Sequence, residues 1–314
     1  MRLFLKYLAT VCAIAVFTSV SIGKLVDHGL ILLENSRYQE WDNIARGSIN
    51  AEVVILGSSR GVSGYNPQIL SARLGKKAYN LSYDAGTFEL QASKYALYAT
   101  NNKTPDVIIQ NIDLTHFNPG DSLIGENNML PFREEALFKN HFSGYENHIF
   151  EPWNIYSIKY TKNFRFIRKG VFGYFDYQNE HEVNYDGFVP ENKAFKEDTR
   201  NLQALERTVQ VKRYKYLFRN VKTVKQTMIQ YSKKSKVAIV WAPEYSVRYN
   251  MAPELHALVS AEFKKLASEH PNILFVDLAN HPMGKDQSNF YDTFHLNGKG
   301  ATTFSELLIP YLPL

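Results

Sequence analysis

The sequence predicts an α/β protein: a three-layer α/β/α sandwich around a central five-stranded parallel sheet, with a cap-like insertion. Three observations lead there. Five short runs, at residues 52–57, 78–81, 106–112, 236–241 and 273–278, read as strands, and most of them are near-continuously apolar. Strands covered on both faces have that composition. Segments with apolar residues at helical spacing separate the runs. Strand and helix then alternate along the chain, an order that puts helices on both sides of a parallel sheet.

Before the first strand, residues 3–23 are almost wholly apolar, with Arg2 and Lys6 at the start. About 20 such residues cross a bilayer as a helix. The leading positive charges keep the N-terminus in the cytoplasm and export the chain beyond Lys24. The predicted organisation is therefore an anchor or signal segment at 1–24, a juxtamembrane linker at 25–50, and a globular domain at 51–314. Thr18, Ser19 and Ser21 are small enough to flank a cleavage site, in which case the domain is secreted. No A-x-A-like site stands out, which favours an uncleaved single-pass anchor with a periplasmic or cell-surface domain.

The helices come in order. Asn66 and Pro67 read as N-cap and first helical residue, with Gly75 as the stop. The next helix presents Phe88, Ala92, Tyr95, Ala96 and Ala99 on one face. A third carries Leu217, Val221, Val224, Met228 and Tyr231, with Lys215, Arg219, Lys222 and Lys225 turned elsewhere. A fourth starts near Pro253 and buries Leu255, Leu258, Val259, Phe263 and Leu266. The last runs on from Gly300 through Phe304, Leu307, Leu308 and Tyr311. Residues 114–213 break this rhythm and read as an insertion after the third strand, too long for a simple loop. Its aromatics, Trp153, Tyr156, Tyr160, Phe164, Phe166, Phe172, Tyr174, Phe175 and Tyr177, are expected to form the core of a cap, or else a platform for sugars or lipid.

Composition narrows the function classes. The net charge of +5 is spread along the chain without a dense Lys/Arg block, so no nucleic-acid partner is expected. Cys12 is the only cysteine and lies in the apolar segment, leaving the domain without disulfides or cysteine metal ligands. No His-Glu-x-x-His or comparable pattern suggests a metal. The oligomeric state is not readable.

Two short motifs carry chemistry. Val53-Val54-Ile55-Leu56 ends in Gly57-Ser58-Ser59, a buried strand delivering a hydroxyl to a sharp turn. Near the other end, Asp292-Thr293-Phe294-His295 lets one turn hold a carboxylate beside an imidazole. A serine hydroxyl becomes a useful nucleophile when a base takes its proton and a third group fixes that base. Gly57, Gly61 and Gly64, with Asp84 after the second strand, superficially suggest a dinucleotide loop. Their spacing misses G-x-G-x-x-G, and the helix starts after the glycines rather than among them. No cofactor is expected.

The strand-Gly-Ser-Ser element, the turn Asn80-Leu81-Ser82-Tyr83-Asp84-Ala85-Gly86 and Asp292-x-x-His295 before the last helix resemble the SGNH (GDSL-type) hydrolase superfamily, whose sheet is flavodoxin-like. The anchor and insertion are similar to its membrane-bound branch, which includes the D-alanyl transfer and alginate acetylation proteins. The resemblance covers 51–112 and 236–314. It implies Ser59 as nucleophile, His295 as base and Asp292 as the residue orienting it. It also implies an oxyanion hole from the Ser59 amide and the amide of Ala85 or Gly86. The family's third block has a side-chain amide; here the sequence is Gln110-Asn111-Ile112-Asp113, and Asn111 is a displaced candidate. Arg60 and His116 are candidate substrate contacts. The implied function is ester hydrolysis or O-acyl transfer on an acylated envelope polysaccharide or similar ester. The alternative is a catalytically inert envelope protein of the same fold that binds glycan or a partner.

Overall fold

The computed structural model describes residues 1–117, 120–162, 164–177, 184–210 and 214–313. In chain order the elements are α1 (Arg2–Leu32), α2 (Arg37–Arg46), β1 (Val53–Leu56), α3 (Ser59–Gly64), α4 (Pro67–Leu74), β2 (Ala78–Asn80), α5 (Phe88–Asn101) and β3 (Val107–Ile112). Then come α6 (Ala136–Phe142), α7 (Phe164–Tyr174), α8 (Thr199–Gln210), α9 (Tyr214–Tyr231), β4 (Lys236–Trp241), α10 (Ser246–Tyr249), α11 (Pro253–Glu269), β5 (Ile273–Asp277) and α12 (Gly298–Leu308). The chain divides into two compact units, Met1–Arg46 with Asp121–Val183, and Gly47–Gly120 with Asn184–Leu314.

The second unit holds the sheet. Its strand order is β2-β1-β3-β4-β5, with every pairing parallel. Side chains alternate between two apolar layers. Val53, Ile55, Val107, Ile109, Ala238 and Val240 pack with Tyr65, Leu70, Phe304 and Leu308 on one face. Val237, Ile239, Trp241 and Ile112 pack with Val221, Met228, Val259 and Phe263 on the other. This is the three-layer sandwich expected. The order reverses between β1 and β3, and open α/β sheets bind ligands at the C-terminal ends of the strands flanking such a point.

Local signals explain the element ends. Asn66 accepts from the amides of Gln68 and Ile69 with Pro67 at the first position, and Gly75 closes α4 in the left-handed region at φ 62°. Two buried faces differ from expectation. In α5, Ala96 and Ala99 are exposed, while Gln91, Lys94, Leu97 and Tyr98 are buried. Gln91 and Lys94 tolerate burial because both donate to backbone carbonyls. In α11, Leu258 is exposed, because Leu255, Val259, Phe263 and Leu266 centre a face that points away from it. Val221, Val224 and Met228 of α9 are buried as expected; the Leu217 side chain lies outside the described residues.

The first unit contains α1, which is longer than the predicted span. It is exposed from Met1 to Thr18 and buries Gly23, Val26, Gly29 and Leu30. The stretch 25–50, expected as a linker, continues the helix to Leu32 and then forms α2, whose Tyr38, Trp41 and Ile44 are buried. Apolar side chains on α2 make it part of a core. Trp41 meets Phe138 and Phe142 edge-on, at 5.9 and 5.5 Å between centroids, and Phe132 stacks on Phe138. The aromatics expected to fill a cap do not: of those nine, Tyr160 is the buried one, and Trp153, Tyr156, Phe164, Tyr174, Phe175 and Tyr177 are exposed. The expected insertion is also divided, since residues from 184 onward belong with the sheet.

Candidate active site

Ser59 lies three residues past β1 and opens α3. The turn is tight because Gly57 and Gly61 let backbone and side chains close in. A Cβ on Gly61 would lie 2.3 Å from Ser82 Oγ, and one on Gly57 would lie 3.0 Å from Asn111 Cβ. These glycines therefore allow close packing between α3 and the strand ends.

His295 sits on a closed turn between β5 and α12. Phe290 and Leu296 form an antiparallel bridge, and the Tyr291 amide donates to His295 O at 3.2 Å. At the tip, Asp292 Oδ1 accepts from the amides of Phe294 and His295, each at 2.7 Å. Asp292 Oδ2 lies 2.8 Å from His295 Nδ1, and His295 Nε2 lies 2.8 Å from Ser59 Oγ. The three side chains thus form one continuous hydrogen-bonded relay, with the carboxylate fixing the ring tautomer that leaves Nε2 facing the hydroxyl. Burial works to raise the Asp292 pKa. The hydrogen bond and charge of His295, with the two amides, outweigh it and hold the carboxyl below its ordinary value. Tyr291 stacks on the imidazole at 5.1 Å with an interplanar angle of 2°. Phe294 meets the same ring edge-on at 4.7 Å.

The turn after β2 stands beside α3. Ala85 has φ 52°, a left-handed conformation that costs a residue with a Cβ of order 1 kcal/mol or more. The Gly86 amide already donates to Tyr83 O at 2.9 Å. Of the two amides proposed from sequence, Gly86's is thus committed to its own turn. Helix α5 secures this loop: Gln91 Nε2 donates to Gly86 O and Lys94 Nζ to Ser82 O, each at 3.0 Å. Asn111 is fully buried, on the sheet face of Val107 and Ile109. Tyr65 OH donates to its Oδ1 at 2.8 Å, and its Nδ2 has no partner.

Arg60 does not face outward as a substrate contact or a solvated charge. It is buried, with Nη1 donating to Glu244 Oε1 at 3.0 Å and Nη2 to the carbonyls of Ala242 and Pro243 at 3.2 and 2.9 Å. Consecutive residues on a helix point about 100° apart, so an inward Arg60 leaves Ser59 toward His295. The His116 backbone lies in a turn after β3; its side chain is outside the described residues.

Sequence reasoning missed the group that receives Arg60. Glu244, just past β4, is fully buried and also accepts from Trp241 Nε1 at 2.9 Å. Arg248 Nε lies 3.4 Å and His256 Nε2 3.6 Å from its Oε2. Burial would raise the Glu244 pKa, but the charges of Arg60, Arg248 and His256 outweigh it and keep the carboxyl below its ordinary value. The Arg248 guanidinium lies over the Phe294 ring at 4.4 Å, and that of Arg60 at 5.3 Å. The pair Glu244-x-x-x-Arg248 at helical spacing was the available signal, and it reads equally as an exposed ion pair.

No family model matches this chain, and no curated protein matches it. A solved structure described as "a putative platelet activating factor from Streptococcus pneumonia" is similar over 90% of this chain and 94% of that one, with a TM-score of 0.41 and 12% identity. The α/β assignment rests on the sheet order and register given above.

Proposed function

We propose that this chain is a serine-dependent esterase or O-acyltransferase of the SGNH type, acting through an acyl-enzyme on an ester of a cell-envelope glycan. The observation that carries this reading is the relay Asp292–His295–Ser59, with both links at 2.8 Å, at the C-terminal end of β1. In the proposed reaction, Ser59 Oγ attacks the ester carbonyl carbon while His295 Nε2 takes its proton. The tetrahedral intermediate collapses, the carbon–oxygen bond to the leaving alcohol breaks, and His295 returns the proton to that alcohol. Water or a sugar hydroxyl then attacks the acyl-serine with His295 as base, releasing Ser59. Asp292 holds the imidazole and balances its charge when protonated.

The oxyanion is assigned to the amides of Ser59 and Ala85, with the Asn111 side chain as third donor. Ser59 begins α3, and first-turn amides have no acceptor within their helix. Tyr65 fixes the Asn111 oxygen, which directs its unpaired Nδ2 the other way. The apolar helix α1 fits a signal-anchor or a signal peptide; as an anchor, it would hold the domain at the outer face of the cytoplasmic membrane, where envelope glycans are reached.

Reaction of the full chain with a fluorophosphonate probe tests the reading. Labelling that disappears in Ser59→Ala supports it. A folded parent protein that takes no label, yet binds glycan, would favour the inert reading instead.

A further inference from the structure

Two exposed aromatics of the first unit, Tyr156 and Phe164, lie at one level along α1. The stretch of α1 from Arg2 to Ile22, exposed except at half-buried Ser19 and Val20, covers about 30 Å at 1.5 Å per residue, which is the thickness of a bilayer's hydrocarbon core. Where that stretch ends, the turn Tyr156–Tyr160 is fastened to the helix. Ser19 Oγ and Ser157 Oγ are 2.8 Å apart. A Cβ on Gly23 would come within 2.8 Å of the Tyr156 carbonyl carbon. One turn further, Lys159 Nζ donates to Asp27 Oδ2 at 2.9 Å, and Tyr160 OH donates to the other carboxylate oxygen. The Lys159 side chain is completely buried, so this is a fixed attachment rather than a surface ion pair.

Helix α7 extends the same level. A Cβ on Gly170 would meet Val26 O at 2.6 Å, and one on Gly173 would meet Gly29 O at 2.1 Å. The helices therefore run parallel in constant register, and carrying it back puts Phe164 level with about Val20. Tyr156, Ile158 and Phe164 are 39%, 48% and 74% exposed, and Trp153, three residues before Tyr156, is 64% exposed. Lys162 and Arg168 are exposed beside them. Large aromatic rings with cationic side chains at the end of a bilayer-length apolar helix have the composition of a membrane interface.

We infer that Trp153, Tyr156, Ile158 and Phe164, with Lys162 and Arg168, form a collar that sits in the lipid headgroup layer around α1. This rests on the anchor reading of α1. The collar gives these residues a reason for exposure that a cap core does not. Its occupant is the lipid surface, because the collar is continuous with the apolar length of α1 and its charge is complementary to anionic headgroups. Tyr174, at the far end of α7, lies about 15 Å from Phe164 and outside it.

The test uses the full chain in nanodiscs of phosphatidylcholine and phosphatidylglycerol. The native Cys12, near the middle of the exposed stretch, carries one nitroxide label; Phe164→Cys and Tyr174→Cys, each with Cys12→Ser, carry the others. Collision with oxygen and with a water-soluble nickel chelate reads their depth. The label at 12 should be deep in lipid. The label at 164 should meet the chelate several-fold less often than the label at 174. Equal chelate access at 164 and 174 with a deep label at 12 overturns the collar and leaves the anchor; a label at 12 in water overturns both. A second measurement needs no cysteine variant. Trp41 and Trp241 are buried, so brominated lipid should quench emission mainly through Trp153. Quenching that Trp153→Phe abolishes supports the collar, and an unquenched parent protein overturns it.

Discussion

Replacing Glu244 by Gln keeps the shape of the side chain and an acceptor for Trp241 but removes the negative charge that Arg60 and Arg248 share. Both cations are buried, so they cannot recover solvation by moving to water. Breaking one buried pair by removing a partner costs about 3–5 kcal/mol. A domain of this size loses about 2–4 °C in melting temperature per kcal/mol, which puts the expected drop at roughly 10 °C. The pH dependence has a definite sign. The folded Glu244 pKa lies below its ordinary value of 4.5, so its contribution is fully present above that value. It is lost as pH falls through the depressed folded value. The variant should therefore show its largest deficit near neutrality and converge on the parent in acid. Differential scanning calorimetry across that range measures both. A Glu244→Gln variant melting within about 2 °C of the parent at pH 7 would refute the claim that this carboxylate holds the cluster, since that shift corresponds to no more than about 1 kcal/mol.

Three further outcomes are expected from the same geometry. Ser59→Ala should abolish probe labelling and lower ester turnover by several orders of magnitude, with His295→Ala costing about as much and the double variant little more; additive losses would break the relay reading. Asn111→Ala should lower kcat by about 10²–10³ if its amide stabilises the oxyanion, whereas a change of stability alone, with kcat retained, removes it from the hole. Gly61→Ala drives a Cβ to 2.3 Å from Ser82 Oγ and should cost about 1–3 kcal/mol as an overpacked site does, visible as a lowered urea midpoint.

The strands and the relay residues were legible because their signals are local. A glycine and serine closing a β-branched run mark the end of β1, and an Asp three residues before a His can share one turn. The partner of Arg60 was not legible: Glu244 is 184 positions away, and an arginine after a serine reads as solvated unless a buried carboxylate is known to await it. The α5 face failed for a related reason. Hydrophobic periodicity chose Ala96 and Ala99, whereas burial went to Gln91 and Lys94, whose hydrogen bonds to carbonyls offset their polarity. For the aromatics of 121–177 the core alternative fails while the platform alternative is untouched. Ring-rich sequence usually means core, and only the packing partners of each ring distinguish a core from a surface.

The cluster under the relay also answers a geometric difficulty. Ser59 and His295 are 236 positions apart, one on a helix of six residues and the other on a loop. Neither element is rigid alone, yet a misplacement of about 1 Å can cost a reaction 10²-fold. Arg60 ties α3 to Glu244 and to two carbonyls at the end of β4. Arg248 reaches the same carboxylate while covering Phe294, the residue before His295. The helix that carries Ser59 and the loop that carries His295 are therefore referred to one buried charge on the sheet. A pair of independent surface tethers would leave the two elements free to drift relative to each other. A single buried acceptor, unable to satisfy either arginine from another position, fixes their separation.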